Sequence, residues 1–325
     1  MGEILTGCNA MKKLVFFSGL LLLLLGIVSF TRTETDHLRR KYSRPPARWP
    51  APAVNAFVNW KELGALPAGP LEAQRDSLKQ VIELGKILFF DTRLSGSGKI
   101  SCATCHQPEL NWTDGKERSV GHEGAINKRN APTIQNSWFY TKLFWDGRAS
   151  SLQDQAFSPI NSETEMHSEM PELMMKLRNV QGYKDLFKKA YGDEEIDPGK
   201  MTAAIAVFEK TVISNKSRFD DFLAGNRQAL TNSELKGLHL FRTKAGCMNC
   251  HYGPLLTDNE FHNSGFSGDD KGLFNTSHSE KDMGRFKTPS LRDVARTGPW
   301  MHDGKRGSLE EIIDAYSEAR FPAGA

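Results

Sequence analysis

Two short motifs combine a pair of thiols with a histidine at the same spacing. The first is CATCH at 102–106 and the second is CMNCH at 247–251. Two thiols three positions apart on one turn can form thioethers with both vinyl groups of one haem, and the adjacent imidazole then reaches the iron. The sequence therefore predicts two covalently bound c-type haems. The residues predicted to hold them are Cys102, Cys105, His106, Cys247, Cys250 and His251.

A four-cysteine zinc site and two disulfides are the alternative interpretations of these thiols. The two pairs are separated by 141 residues, and each pair is followed by a histidine at the same offset. Neither alternative requires that histidine. The haem interpretation is therefore favoured.

The N-terminus favours export from the cytoplasm. Lys12 and Lys13 precede a 17-residue apolar run at 14–30, which resembles a signal segment and lies at the lower limit of what spans a bilayer. We expect a periplasmic protein, either soluble after cleavage or tethered to the inner membrane by 1–30. The basic residues at 32–48 argue against export, because the positive-inside rule would keep them in the cytoplasm. Export is still expected, because haem attachment to such motifs takes place outside the cytoplasm.

The charge distribution excludes a nucleic-acid-binding surface. The net charge is +3, and residues 1–50 hold 8 Lys and Arg against 3 Asp and Glu, which leaves 34 against 36 in the rest of the chain. The folded part is thus nearly neutral. A hydrophobic fraction of 39% suffices for ordinary globular cores.

Helical patterns dominate after a Pro- and Arg-rich segment at 31–75, which is expected to be a linker. Apolar residues recur at helical spacing at 78–88 and 170–177, and Thr231 and Ser308 each begin a capping box. No sustained strand pattern competes with them. The expected fold is all-α, with little or no sheet.

A weak internal repeat supports two modules. In each copy a Gly followed by a Leu-Phe pair (Leu88-Phe89 and Leu240-Phe241) precedes the thiol motif, and a proline and a Thr-Asp pair follow it. We expect two cytochrome c-like haem domains in tandem, with a boundary near 224–231.

The sixth coordination position of each iron decides the function, because an open or releasable position permits peroxide chemistry. His122 lies 16 residues after His106, between Gly121 and Gly124. Flanking glycines favour a loop that can move, which suits a ligand that must leave. A solvated loop histidine is the alternative.

Several further segments, taken in order, resemble the bacterial di-haem cytochrome c peroxidases. The resemblance covers about 76–318. It implies a peroxidatic haem domain at 76–226 and an electron-transfer haem domain at 227–325, which ends earlier than family members do. The segments are LSG at 94–96, RNAPT at 129–133, FWDGRA at 144–149, FKTPSLR at 286–292 and MHDG at 301–304.

The resemblance also implies roles in the first haem pocket. His122 matches the removable distal ligand, and Glu165 matches the distal glutamate. Gln155 and Pro159 match residues that accompany this glutamate in the same pocket, and Trp145 matches an aromatic residue between the haems. Alternatively, Gln155, Pro159 and Glu165 are ordinary loop residues, and Trp145 is a tryptophan of the core. A carboxylate beside the haem can carry a proton between the two oxygens of peroxide.

Asn130, Thr297 and Pro299 match a calcium site of the family. That ion is held by one Asn side chain, backbone carbonyls and water. Neutral oxygen ligands bind calcium weakly unless the site is rigid.

At the second haem the sequence departs from the common pattern. Tyr316 stands 14 residues after His302, where other members place an axial methionine. Such a tyrosine resembles the methylamine-utilisation (MauG-like) branch, whose members oxidise residues of a partner protein. Tyr316 could instead be a core residue of its helix, and Met283 and Met301 are the remaining thioether candidates.

The resemblance thus implies a peroxidase that reduces hydrogen peroxide to water with electrons from a small cytochrome c or cupredoxin-like donor. A MauG-like oxidase is the first alternative. A non-enzymatic di-haem electron carrier, with His122 permanently on the iron, is the second. Whether the protein is a monomer or a homodimer is left open.

Overall fold

The computed structural model describes residues 36–318 and confirms a helical fold. In this range the sheet consists of two short antiparallel strands, β1 (Phe261–His262) and β2 (Phe286–Lys287). Residues 36–42 are also helical. The remaining helices are α1 (Lys79–Phe90), α2 (Cys102–Cys105), α3 (Leu152–Asn161), α4 (Met170–Arg178), α5 (Gln181–Tyr191), α6 (Pro198–Glu209), α7 (Arg218–Leu223), α8 (Asn232–Arg242), α9 (Phe274–Ser277) and α10 (Leu309–Glu318).

The chain forms two compact units, each built from two stretches of sequence. The small unit comprises residues up to Ala65 together with Lys216–Tyr252. The large unit comprises Leu66–Asn215 and the residues from Gly253 onward. The second thiol motif therefore lies in the small unit and the first in the large unit. The division into haem domains at 76–226 and 227–325 stays a prediction.

The core of the large unit forms where α1 crosses α6. Leu84, Leu88 and Phe89 of α1 are fully buried there. Of the residues whose apolar spacing predicted this helix, Leu88 is fully buried and Val81 and Ile82 are partly buried against the core. A side chain at Gly85 would place its Cβ 1.9 Å from the carbonyl oxygen of Ala204. Glycine is needed at this position because the two helix backbones approach so closely.

The small unit buries side chains from the segment predicted to be a linker. Tyr42 and Trp49 are buried and pack edge-to-face, with 5.2 Å between ring centroids. The indole N–H of Trp49 donates to the carbonyl of Arg44 at 2.7 Å. This part of the segment is therefore structural. The predicted capping box of Thr231 and Glu234 begins α8.

No helix among residues 36–318 is long and apolar enough to cross a membrane. The predicted signal or anchor at 1–30 lies outside the described residues.

Candidate active site

The first thiol motif forms a single helical turn, α2. Its N-terminus is fixed because the Ser101 N–H donates to Thr104 Oγ1 at 3.0 Å. The His106 N–H donates to the carbonyl of Cys102 at 3.0 Å. Cys102 and Cys105 are free thiols, so the disulfide alternative is not supported and both sulfurs remain for thioether bonds.

The imidazole of His106 is oriented by a loop that returns after the motif. Its Nδ1–H donates to the carbonyl of Trp112 at 3.1 Å, which leaves Nε2 for the iron. Burial lowers the pKa of His106, so the ring is held in the neutral form that ligates metals. Thr133 fixes the loop by donating to the carbonyl of Asn111 at 2.6 Å.

The second thiol motif has the same local hydrogen bond. The His251 N–H donates to the carbonyl of Cys247 at 2.9 Å. Gly246 precedes the turn in the left-handed region, at φ +67°. Cys247 and Cys250 are also free. The two motifs thus share this hydrogen bond, although the residue before the first cysteine is extended at Ser101 and left-handed at Gly246.

Two loops meet at His122. The His122 N–H donates to the carbonyl of Glu165 at 2.9 Å. A Cβ at Gly121 would lie 2.0 Å from the carbonyl oxygen of Thr164. The glycine at 121 is therefore required by close packing, whereas Gly124, at φ +85° with open space around it, has the conformational freedom that was expected on both sides of His122.

Replacing Gly121 by alanine is expected to reduce the free energy of unfolding by about 1–3 kcal/mol, because the new methyl group forces the loops apart. Urea unfolding checks this. Gly182→Ala is the matched control, since no atom beyond its own helix backbone and chain neighbours lies within 4 Å of a Cβ placed there, and α5 gains a better helix former. Equal stability of the two variants would contradict the prediction.

The side chain of Glu165 is partly buried in an environment that disfavours its charge. Burial raises its pKa, and the nearby charge of Arg148 and a hydrogen bond from Ser162 oppose that shift. Burial also raises the pKa of Cys102 and Cys105, and the charge of Glu165 adds to it. The Glu165 carboxyl therefore lies within electrostatic range of both attachment sulfurs.

Helix α3 supports the Glu165 loop. Gln155 and Pro159 are one turn apart on it and so share a face. The Met166 N–H donates to the carbonyl of Pro159 at 3.1 Å, and the Ser168 N–H donates to that of Ile160 at 2.8 Å. The structure thus brings the Glu165 loop to the end of the helix that carries Gln155 and Pro159.

The pocket residues fit a haem. The Nδ1 atom of His122 is buried and has no hydrogen-bond partner among the described residues. A buried polar atom of this kind calls for a ligand outside the protein. Together with the free thiols of Cys102 and Cys105 and the oriented ring of His106, it gives the first site attachment points and candidate ligands for one haem.

Trp145 is fixed by the motif that contains Asn130. Its indole N–H donates to the carbonyl of Asn130 at 3.0 Å. The Asn130 N–H donates in turn to the carbonyl of His302 at 2.9 Å. Trp145 is only partly buried, so it is not an ordinary core tryptophan.

A partly buried ion-pair network, which the sequence did not reveal, joins the family-like motifs. Arg129 pairs with Asp146 at 2.6 Å and with Asp270 at 2.8 Å. Its guanidinium lies over the ring of Phe286, which stacks on His302 with 3.8 Å between centroids. Arg129 and Asp146 belong to the RNAPT and FWDGRA motifs, but no sequence pattern indicated Asp270.

The side chains of the predicted calcium residues Asn130 and Thr297 each hydrogen-bond to other residues. Asn130 donates through Nδ2 to the carbonyl of Lys116 at 2.9 Å, and Thr297 donates through Oγ1 to that of Val294 at 3.2 Å. Within residues 36–318 no hydrogen bond joins Asn130 to Thr297 or Pro299. The calcium site stays a prediction.

Tyr316 is not a core residue of α10, so that alternative is wrong. Its side chain is 38% exposed, and that of Ile313 on the same helix is 64% exposed. The ring of Tyr316 meets that of Phe266 edge-on, with 5.3 Å between centroids. Its predicted role as a ligand stays a prediction, as do those of Met283 and Met301.

A buried carboxyl that the sequence did not single out lies at the end of α6. Glu209 is 4% exposed, and its Oε2 has no hydrogen-bond partner in the described part of the chain. Burial raises its pKa to about 8. Its charge also contributes, after burial, to the raised pKa of Cys102.

The pKa of Glu209 predicts a pH-dependent stability. Because the pKa of Glu209 is higher in the folded state than in the unfolded chain, its neutral carboxyl contributes to stability. This contribution is fully present below the unfolded pKa near 4.5 and is lost as pH rises through about 8. The unfolding free energy of Glu209→Gln minus that of the wild type should increase by roughly 1.4 kcal/mol per pH unit between those values. Urea unfolding at several pH values tests this, with the exposed Glu83→Gln as control; parallel profiles for E209Q and wild type would refute it.

Comparisons with known proteins identify the family of the chain. Residues 79–228 match the family model described as di-haem cytochrome c peroxidase. The chain is 38% identical to the methylamine utilization protein MauG of Methylophilus methylotrophus over 286 residues, covering 86% of this chain and 79% of that protein. It is 37% identical to the cytochrome c551 peroxidase of Nitrosomonas europaea, covering 78% of each.

A solved structure has a similar fold. It is a MauG-like protein associated with microbial copper homeostasis, with a TM-score of 0.69 and 34% identity, covering 84% of this chain and 85% of that one. The helical fold and the two c-type haems are therefore confirmed, and the zinc alternative is wrong. The chain belongs to the di-haem cytochrome c peroxidase family and is a haem peroxidase.

Proposed function

We propose that hydrogen peroxide is reduced to water at the site formed by Cys102, Cys105 and His106. His122 is the releasable ligand of this site, and Glu165 moves the proton. The bound haem supplies an iron that takes up peroxide and passes electrons to it. The observation that carries the proposal is the hydrogen bond from the His122 N–H to the Glu165 carbonyl, which joins the ligand loop to the loop of the acid.

Glu165 suits proton transfer because burial raises its pKa, so that the carboxylate accepts a proton more readily and the resulting acid can give it up again. Reduction of one peroxide consumes two electrons and two protons, breaks the O–O bond and gives two water molecules. A carboxylate can take the proton from the near oxygen and, as the acid, deliver it to the far oxygen, which then leaves as water. Burial raises the pKa of Glu165, so this exchange is possible closer to neutral pH.

The second haem site, at Cys247, Cys250 and His251, receives the electrons. We propose a small periplasmic cytochrome c or a cupredoxin-like protein as the donor. A cytochrome donor agrees with the name of the Nitrosomonas europaea relative, cytochrome c551 peroxidase. Tyr316 is the proposed second ligand of this haem, and Trp145 lies on the electron path. A tyrosinate ligand lowers the potential relative to methionine.

The proposal includes further features that the family resemblance implied. Asn130, Thr297 and Pro299 hold a calcium ion through neutral oxygens. The protein works in the periplasm, either free or tethered by the segment at 1–30.

A partner-protein oxidase is the second candidate function. It is favoured by Tyr316 and by the similarity to proteins named MauG, one of which, in Methylorubrum extorquens, is 44% identical over 239 residues. His122 opposes it, because in that branch the first haem is expected to be open.

One-electron reduction distinguishes the candidates, including an electron carrier. We expect the oxidised holoprotein to show a low-spin first haem and the half-reduced protein to gain a high-spin signal, because His122 then leaves the iron. Absorption and electron paramagnetic resonance spectra measure this. A high-spin haem already present in the oxidised protein would support the oxidase instead. No change on half-reduction would support a carrier.

A further inference from the structure

A second imidazole lies against the ring of His122. The rings of His122 and His167 meet edge-to-face, with 4.5 Å between centroids and 63° between planes. His167 is exposed, two residues after Glu165, whereas the side chain of His122 is only 17% exposed. We propose that His167 is a positioning residue that holds the ring of His122 ready to coordinate the first haem. This inference rests on the proposed function of His122.

The backbone of His167 is fixed, so the direction of its ring is also constrained. Its φ of +46° lies in the left-handed region, which is uncommon for residues other than glycine but tolerated by histidine and asparagine. The His167 N–H donates to the carbonyl of Ser162 at 2.9 Å. On the other side, a Cβ at Gly96 would lie 2.1 Å from the carbonyl oxygen of His167.

Three of the contacts between the two loops involve Gly121 or His122. The first is the hydrogen bond from His122 to Glu165, and the second is the close packing of Gly121 on Thr164. Both of these involve the backbone. The contact with His167 involves the side chain of His122 itself, so a substitution at 167 can release that ring while the loops stay joined.

A ring that is already held in place loses less conformational entropy when it binds the iron. An edge-to-face contact of two aromatic rings shifts such an equilibrium by roughly 2- to 10-fold. Removing the ring of His167 should therefore increase, by that factor, the fraction of molecules in which His122 is off the iron.

Cyanide binding to the oxidised holoprotein measures this fraction. The apparent Kd for cyanide is inversely proportional to the fraction of molecules whose sixth position is open. His167→Asn removes the ring but suits the left-handed backbone, and we expect its apparent Kd to fall roughly 2- to 10-fold. His167→Phe keeps a ring and should restore a Kd close to that of the wild type.

His278→Asn is the matched control. His278 is also an exposed histidine with positive φ, at +55°, and it meets Phe274 edge-to-face at 6.3 Å between centroids. This variant should leave the apparent Kd unchanged. Urea unfolding of each variant verifies that the fold is retained.

A Kd for H167N that is unchanged or raised overturns the proposal. His122→Gly separates this failure from that of the proposed function. If H122G lowers the Kd strongly and H167N does not, His122 is the ligand and only the role of His167 is lost. If H122G has no effect, His122 is not the ligand and both are lost.

Discussion

Replacing Glu165 by glutamine is expected to lower kcat for hydrogen peroxide by a factor of ~10²–10⁴, the usual contribution of a positioned general acid–base group. Glutamine has nearly the same shape, but it cannot accept the proton from the near oxygen and return it to the far one. The raised pKa of Glu165 adds a pH signature. The step of the wild-type pH–rate profile assigned to this carboxyl should lie above the ordinary glutamate range and should be absent in E165Q.

The neighbouring Glu163 provides the control. It lies two residues earlier in the same loop and its side chain is exposed. Glu163→Gln changes the net charge by the same amount, so any effect of charge on donor binding is shared by both variants. Steady-state kinetics with reduced donor and stopped-flow mixing with peroxide distinguish a loss of proton transfer from an effect of charge on donor binding. If E165Q turns over as fast as E163Q, Glu165 is not the proton carrier.

Replacing Arg242 by methionine is expected to reduce the free energy of unfolding by roughly 3–5 kcal/mol. Arg242 is fully buried in the small unit and forms a bidentate ion pair with Glu62. It also donates to the carbonyl of Pro50 at 2.7 Å and lies over the ring of Trp49 at 5.2 Å. The variant leaves the carboxylate of Glu62 without its cation, and that uncompensated charge is the main penalty.

The proposed consequence extends to the second haem motif. Arg242 contacts the sulfur of Met248 at 3.6 Å through Nη1, and Met248 lies between the two attachment cysteines. We therefore expect a lower haem content in R242M, measured by the pyridine haemochrome assay, alongside the lower stability in urea.

Arg218 supplies a matched control in the same unit. It forms a bidentate pair with Glu234 at 2.8 and 2.7 Å, but its side chain is 60% exposed. Water screens this pair, so Arg218→Met should cost about 1 kcal/mol or less. The double variant Arg242→Met with Glu62→Leu should be more stable than R242M alone, because no unpaired charge remains. Equal losses for R242M and R218M would show that burial of the Arg242 pair is unimportant.

Local patterns in the sequence determined the haem-binding residues and several of the helices. The thiol motifs specify their own chemistry, since Cys102, Cys105 and His106 are adjacent on one turn. The helix predicted from apolar spacing at 78–88 is α1, and the predicted capping residue Thr231 begins α8. These features depend on interactions within about four residues, which the order of residues states directly.

The resemblance to a family added a set of site residues that no local pattern could supply. Glu165 and Gln155 have no distinctive neighbours, and their roles stay proposals. The tertiary structure contributes the contact between the loops of His122 and Glu165. It also explains why glycine occurs at 121, which the sequence suggested was for mobility.

Only the tertiary structure decided which buried charges and rings are partners. Arg242 and Glu62 are 180 residues apart, and Arg129 and Asp270 are 141 residues apart. Neither pair has a spacing or composition that predicts it, because a buried ion pair depends on which segments the hydrophobic core brings together. The same holds for His167. Its sequence neighbours give no reason to single it out, and its importance comes from the ring of His122, which the fold places against it.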